Sequence, residues 1–388
     1  MDKITQKSET GINTNQKPIH LGALDSFRGI AAISVVLFHL LVLDSVSRFE
    51  FFKNAWLFVP FFFVLSGFVM PYVYDRNTFS FRRFIIARSF RILPLYWVAF
   101  IAVFALECLR YLAYHKFGML KNEPFTGSND FSEIIPHLLL LQSWLNSSSH
   151  VSFNAPAWSL SVEWYLYVAF GLLMFVPRLT RYALFALLST LAYFHLFDFF
   201  KIVTSSGIMY FFSGCLMYFI FDRLKNTHIN SIIFTILEVC VLTLCFVVIY
   251  FGLDKYALFA FDALVLVFAL SSYSRKTYAN NKFLGGGVIT SFLETKVFAF
   301  FGALSYAIYI THWFCLSISD FFVRKVVAKF GIYVDYADGT DMLVFANAIT
   351  ANIYILATIC FIVFIAYLAH NFIEKPCINY GKKLLYKS

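Results

Sequence analysis

Residues 25–40 read DSFRGIAAISVVLFHL. The run is apolar enough for lipid, yet it carries Asp25, Arg28 and His39. In an α-helix the eleven-residue step from Arg28 to His39 covers about three turns and a rise of roughly 16 Å, which puts both side chains on nearly one face. The stretch predicts a membrane helix with Arg28 at an interface and His39 close to mid-membrane. An ionisable group at that depth is costly unless it faces a polar cavity or a partner, so the helix is expected to line one.

The rest of the chain fits that reading. Of 388 residues, 60% are hydrophobic and 20% aromatic, with 14% charged, too little polar surface to cover a soluble domain. Apolar runs recur near the roughly 20 residues that cross about 30 Å of hydrocarbon. They predict an all-α integral membrane protein of about ten transmembrane helices, at 22–43, 55–74, 92–112, 157–176, 182–200, 203–221, 231–251, 256–273, 297–319 and 347–371. The first apolar stretch is too long and too charged at its start for a cleaved signal peptide. We therefore expect a tail over 1–20, a transmembrane domain over 21–374 and a basic tail over 375–388. With ten crossings most of the 31 Lys and Arg fall on one side, so both termini are expected in the cytoplasm. The net charge of +9 then reflects topology, with no need for nucleic acid. The seven cysteines show no metal-ligand spacing, and no metal is expected.

Three further stretches could carry chemistry. In RRFIIARSFRILPLYW (82–97), Arg88 and Arg91 are three apart and share a helix face. Their forked guanidinium groups suit the phosphates of a cytoplasmic cofactor, or else anchor the helix at lipid headgroups. In NAPAWSLSVEWYLYV (154–168), Glu163 comes out at nearly the depth of His39, where its carboxylate could fix the imidazole tautomer, bind substrate hydroxyls, or accept from a neighbouring Trp or Tyr. His312, after FGALSYAIYIT, could reach the same depth as His39. In FFFVLSGFVMP (61–71), Ser66 and Gly67 suit close helix packing more than nucleophilic chemistry. The segment HLLLLQSWL (137–145) is too short to span and suits a re-entrant or interfacial piece, and Gly285–Gly287 reads as a turn rather than a phosphate loop. A transporter using buried carboxylates and histidines as a proton relay is the competing class. Against it, no inverted repeat or pair of broken helices is evident.

In chain order, LDSFRGIAAISVVLFH, FFFVLSGFVM, the Arg88–Arg91 pair, WSLSVEW, FGALSYAIYITH and NFIEKP resemble the membrane-bound acyltransferase-3 family, bacterial enzymes that O-acylate surface polysaccharides and related molecules. Two departures stand out. Ser26-Phe27 replaces a common Gly-Leu, and Trp164 stands where a second glutamate is common.

The resemblance implies a multi-pass protein of the bacterial inner membrane that uses acyl-CoA, most often acetyl-CoA, to acylate a hydroxyl of an O-antigen, lipopolysaccharide or exopolysaccharide. It implies His39 as general base, with Glu163 and Arg28 at the catalytic centre and nucleotide phosphates on Arg88, Arg91 and Arg83. Asp25, Ser66, Trp158, Ser159, Tyr306 and His312 are the implied substrate contacts. Arg28 is expected to hold the cofactor or Asp25 rather than react.

Overall fold

The computed structural model describes residues 18–75, 78–117, 123–197, 199–279, 281, 284–325, 334–336 and 342–387. The expected tail over 1–20 lies almost wholly outside these residues.

Fourteen α-helices are present among the described residues. They are α1 Gly22–His39, α2 Glu50–Lys53, α3 Phe58–Tyr74, α4 Phe81–Phe117, α5 Ile134–Leu138, α6 Trp158–Leu173, α7 Arg178–Tyr193, α8 Ile202–Leu224, α9 Ser231–Tyr250, α10 Asp254–Thr277, α11 Val288–Leu293, α12 Lys296–Lys325, α13 Ala348–Ala369 and α14 Lys375–Lys387. Eight places are long and apolar enough to cross a membrane, at α1, α3, α4, α8, α9, α10, α12 and α13. The expected fourth and fifth spans exist as α6 and α7, but each has 16 residues, a rise of about 24 Å, short of a full crossing. Pro177 stands between them as the residue that opens the second.

The boundaries correct several expectations. The first helix stops at His39, where Leu40 turns extended, instead of running to 43. The chain beyond it pairs with a two-stranded antiparallel ribbon, β1 Val334–Tyr336 and β2 Leu343–Phe345, through a parallel bridge between Val42 and Leu343. The third span starts eleven residues early, so Arg82, Arg83, Arg88 and Arg91 all lie on α4. Residues 375–387 form α14 instead of trailing as a tail. In the 137–145 segment His137, Leu140, Gln142 and Ser143 are buried, and the backbone turns through a left-handed Leu140.

Two helix pairs set the layout, and glycine makes each of them possible. A Cβ on Gly67 of α3 would lie 1.8 Å from the Phe211 carbonyl oxygen of α8, and one on Gly214 of α8 would lie 2.0 Å from that of Val64. Likewise a Cβ on Gly29 of α1 would lie 2.6 Å from the Phe301 carbonyl carbon of α12, and one on Gly302 would lie 2.4 Å from the Asp25 carbonyl oxygen. Small residues let backbones approach this closely, so that dispersion binds helices in the absence of a hydrophobic drive. The close packing expected at Gly67 is thus present.

The glycine turn is also present, for a local reason. Gly286 has a left-handed φ of +76°, and a Cβ on Gly287 would collide with the Glu238 carboxylate. That buried carboxylate accepts from the Ile289 backbone N–H at 3.0 Å, from Thr290 Oγ1 at 2.6 Å and from Ser271 Oγ at 2.7 Å, which caps α11.

Candidate functional site

The α1–α12 pairing brings two histidines together. From the Gly29 and Gly302 contacts, each helix runs ten residues to a histidine (39 − 29 and 312 − 302). The two rings lie 5.1 Å apart, centroid to centroid. His39 Nδ1 is 3.0 Å from the Val35 carbonyl oxygen, and His312 Nδ1 is 2.7 Å from that of Tyr309. A carbonyl can only accept, so Nδ1 carries the proton in each neutral ring and Nε2 keeps its lone pair. His312 is fully buried and its Nε2 has no hydrogen-bond partner. His39 instead is half-buried and lines a cavity of about 750 Å³ with Trp56, Pro60, Phe63, Trp158 and Tyr309. It is also the last residue of α1, where the helix dipole favours a positive imidazolium.

A second cavity, about 760 Å³, opens at the Asp25 end of the same helix. It is lined by Asp25, Arg28, Ser66, Arg88, Arg91, Glu163, Tyr167, Tyr306 and Glu374, among others. Arg88 donates to Tyr74 Oη at 3.1 Å and lies over the rings of Tyr74 and Tyr167, while its Nε is buried without a partner. Arg91 is 3.6 Å from Glu374, whose other oxygen meets His370 Nδ1 at 2.8 Å. Arg28 pairs with Asp25 at 3.4 Å, and Asp25 also accepts from His20 Nε2 at 2.7 Å. That hydrogen bond raises the proton affinity of His20, which precedes the helix. Three arginines around a half-open space, one with a spare N–H, form a setting that fits phosphate oxygens.

Glu163 belongs to this second cavity. Its Oε1 accepts from Ser66 Oγ at 2.5 Å and from Tyr167 Oη at 2.5 Å. The carboxylate does not reach His39, against the expectation from depth. Instead α6 presents Glu163 towards Ser66 of α3 on the arginine side. The tautomer-fixing acceptor for His39 is the Val35 carbonyl of its own helix.

Tyr306 of α12 lines the arginine cavity and Tyr309, one turn on, the His39 cavity, and the side chains packed on Tyr309 form the partition between the two. Phe62 and Tyr309 are in edge contact at 5.6 Å, and Tyr309 Oη is 2.8 Å from Ser159 Oγ and 3.1 Å from the Pro156 carbonyl oxygen. Ser66 is one turn from Phe62, Glu163 one turn from Ser159, and Tyr306 one turn from Tyr309. Each of the three helices thus offers one residue to the arginine cavity and one to the partition.

The remaining expected residues can now be placed. Arg28, Arg88, Arg91, Asp25, Ser66 and Tyr306 line the arginine cavity, where the Tyr306 hydroxyl donates to the Ile92 carbonyl oxygen at 2.6 Å. His39 and Trp158 line the other cavity. Ser159 is buried in the partition and His312 behind His39. Arg83 stands apart, exposed on α4 and away from both cavities, because five residues separate it from Arg88 and turn it to another face. Sequence reasoning passed over Tyr167, Tyr309 and Glu374. The first two sit one turn from residues already singled out, and Glu374 lies within NFIEKP. Among the described residues no cluster of His, Cys, Asp and Glu could hold a metal ion.

The chain is 30% identical over 141 residues to Acyltransferase MdmB of Streptomyces mycarofaciens, covering 36% of this chain and 31% of that protein. It is 30% identical over 154 residues to "Putative acetyltransferase ORF330" of Acidianus two-tailed virus, covering 40% of this chain and 39% of that protein. The chain thus spans about a third of the length of the curated relatives it matches. No solved structure matches it. A family description, Acyltransferase domain, matches residues 21–371, nearly the whole chain. The chain therefore belongs to the acyltransferase-3 family.

Proposed function

We propose that this protein transfers an acyl group, acetyl in the first instance, from acyl-CoA to a hydroxyl of a cell-surface glycan, with His39 as general base. The observation that carries the reading is that α3 and α12 each line both cavities within one turn, Leu65 and Tyr306 on the cationic side and Phe63 and Tyr309 on the side presenting an imidazole lone pair. The family and the acyltransferase names of the relatives support the reaction class.

In this reading both termini and the arginine cavity face the cytoplasm of a bacterial cell, and the His39 cavity faces the other side of the inner membrane. The nucleotide phosphates rest on Arg88, Arg91 and Arg28. The pantetheine arm passes the partition and delivers its thioester towards His39. The Nε2 lone pair of His39 takes the proton of the acceptor hydroxyl, the oxygen attacks the thioester carbonyl, and the carbon–sulfur bond breaks. The leaving thiolate then takes the proton from the imidazolium. The helix dipole at the end of α1 and the Val35 carbonyl both favour that transient cation. Glu163 holds Ser66 and Tyr167 in the donor cavity and so positions the donor rather than the base. Trp158 and Trp56 offer apolar faces to a sugar ring.

The test is purified protein with acetyl-CoA and a panel of surface oligosaccharides, following thiol release beside ester formation by mass spectrometry. Stoichiometric thiol and ester are expected. Absence of both with every glycan, in protein that still binds CoA, would contradict the glycan assignment; absence of CoA binding would contradict the donor.

A further inference from the structure

The C-terminal helix contributes to the arginine cavity. Glu374, Ile378 and Lys382 line that cavity at successive steps of four residues, one stripe along the chain from the π-helical turn at His370–Glu374 into α14. The π turn interrupts an otherwise continuous run from α13 to α14, and such turns re-aim a helix, often at functional sites. The docking of α14 on α4 is close. A Cβ on Gly381 would lie 2.8 Å from Phe90 Cβ, and the rings of Phe90 and Tyr380 are 5.7 Å apart. Phe90 immediately precedes Arg91, so the contact fixes α14 beside the arginines. Lys382 is exposed, which places its ammonium at the rim, while Arg88 and Arg91 are only partly exposed. Lys383, one position on, is exposed and does not line the cavity.

We propose that Lys382 binds the 3′-phosphate of the donor nucleotide. The inference rests on the acyl-CoA reading of this cavity. With the thioester directed to His39, the adenosine end of CoA is the end left at the rim, and its 3′-phosphate is the anion farthest from the reacting carbon. The carboxylates of Asp25, Glu163 and Glu374 line the same cavity, but each already has partners: Arg28 and His20 for the first, Ser66 and Tyr167 for the second, Arg91 and His370 for the third. Lys382 is left for an anion from outside.

The test is calorimetric binding of CoA and 3′-dephospho-CoA to the purified full chain, as wild type, Lys382→Gln, Lys382→Arg and Lys383→Gln. Wild type should bind CoA more tightly than 3′-dephospho-CoA. Lys382→Gln should weaken CoA by about ten-fold, the scale of one charged hydrogen bond, and leave 3′-dephospho-CoA unchanged. Lys382→Arg should keep the preference, and Lys383→Gln should match wild type. Wild-type affinity and preference in Lys382→Gln would overturn the assignment, as would equal weakening of both ligands. If wild type binds neither ligand, the acyl-CoA reading itself fails and takes this inference with it.

Discussion

The His39 ring donates from Nδ1 to the carbonyl oxygen of Val35, 3.0 Å away and one turn back on the same helix. The base of the proposed reaction is therefore oriented by its own backbone, and its Nε2 lone pair points away from the helix that holds it. A carboxylate is absent from this arrangement because Glu163 is engaged by Ser66 and Tyr167.

That difference separates two mechanisms by pH. A carboxylate hydrogen-bonded to the base would raise its pKa, so removing it would move the acid limb of the pH–rate profile to lower pH. In Glu163→Gln we expect the acid limb of the kcat profile to stay where it is in wild type, with the main change a several-fold rise in donor KM. A downward shift of that limb would place Glu163 beside His39 after all.

The arginines should act on binding more than on turnover. Each of Arg88→Ala and Arg91→Ala is expected to raise the apparent KM for acetyl-CoA by about ten- to a hundred-fold, from the loss of about 1.5–3 kcal/mol of charged hydrogen bonding. Arg83→Ala, exposed outside the cavity, should leave KM within two-fold of wild type. Steady-state kinetics on the three variants decide the matter.

Opening the partition should let water in. In Tyr309→Ala the ring that contacts Phe62 and bonds Ser159 is gone, so the two cavities merge. The expected result is acyl-CoA hydrolysis without acceptor at several times the wild-type rate, with less ester formed per thiol released. A ratio equal to wild type would mean that Tyr309 does not divide the cavities.

The glycine pairs make a stability prediction. Gly67→Val and Gly302→Val each place side-chain atoms inside a neighbouring helix backbone, a clash that no rotamer relieves. A loss of about 3 kcal/mol or more is expected, seen as a lowered thermal midpoint in detergent. Gly127→Ala meets no neighbouring atom but sits at a left-handed φ of +61°, so it should cost only about 1–2 kcal/mol of backbone strain.

Much of this was legible beforehand, and the particular residues show why. Arg28 and His39 lie on a single helix, so their spacing fixed their relation, and Arg88 with Arg91 likewise. Relations between helices were harder to read. Depth along the membrane normal can be counted from sequence, but the rotation of α6 about its axis, which turns Glu163 to Ser66, is set by packing. The meeting of His39 with His312 left a usable trace, since glycine and histidine stand ten apart in both helices and the two run parallel from a common contact. The docking of α14 left less: the chain past Glu374 is too charged to read as a span, and only Gly381 hints at a close approach. Just past the early stop of α1 at His39, Val42 bridges to Leu343 of β2, three hundred residues away and invisible to local pattern.

The most direct test of the central claim is transfer of labelled acetyl from acetyl-CoA to surface glycan in membranes carrying wild type or His39→Ala, with CoA binding measured on both to confirm that the donor cavity is intact. The account predicts unchanged CoA binding and a rate about a hundred- to ten-thousand-fold lower in His39→Ala. Transfer at the wild-type rate in a His39→Ala protein that binds CoA normally would show that His39 is not the base.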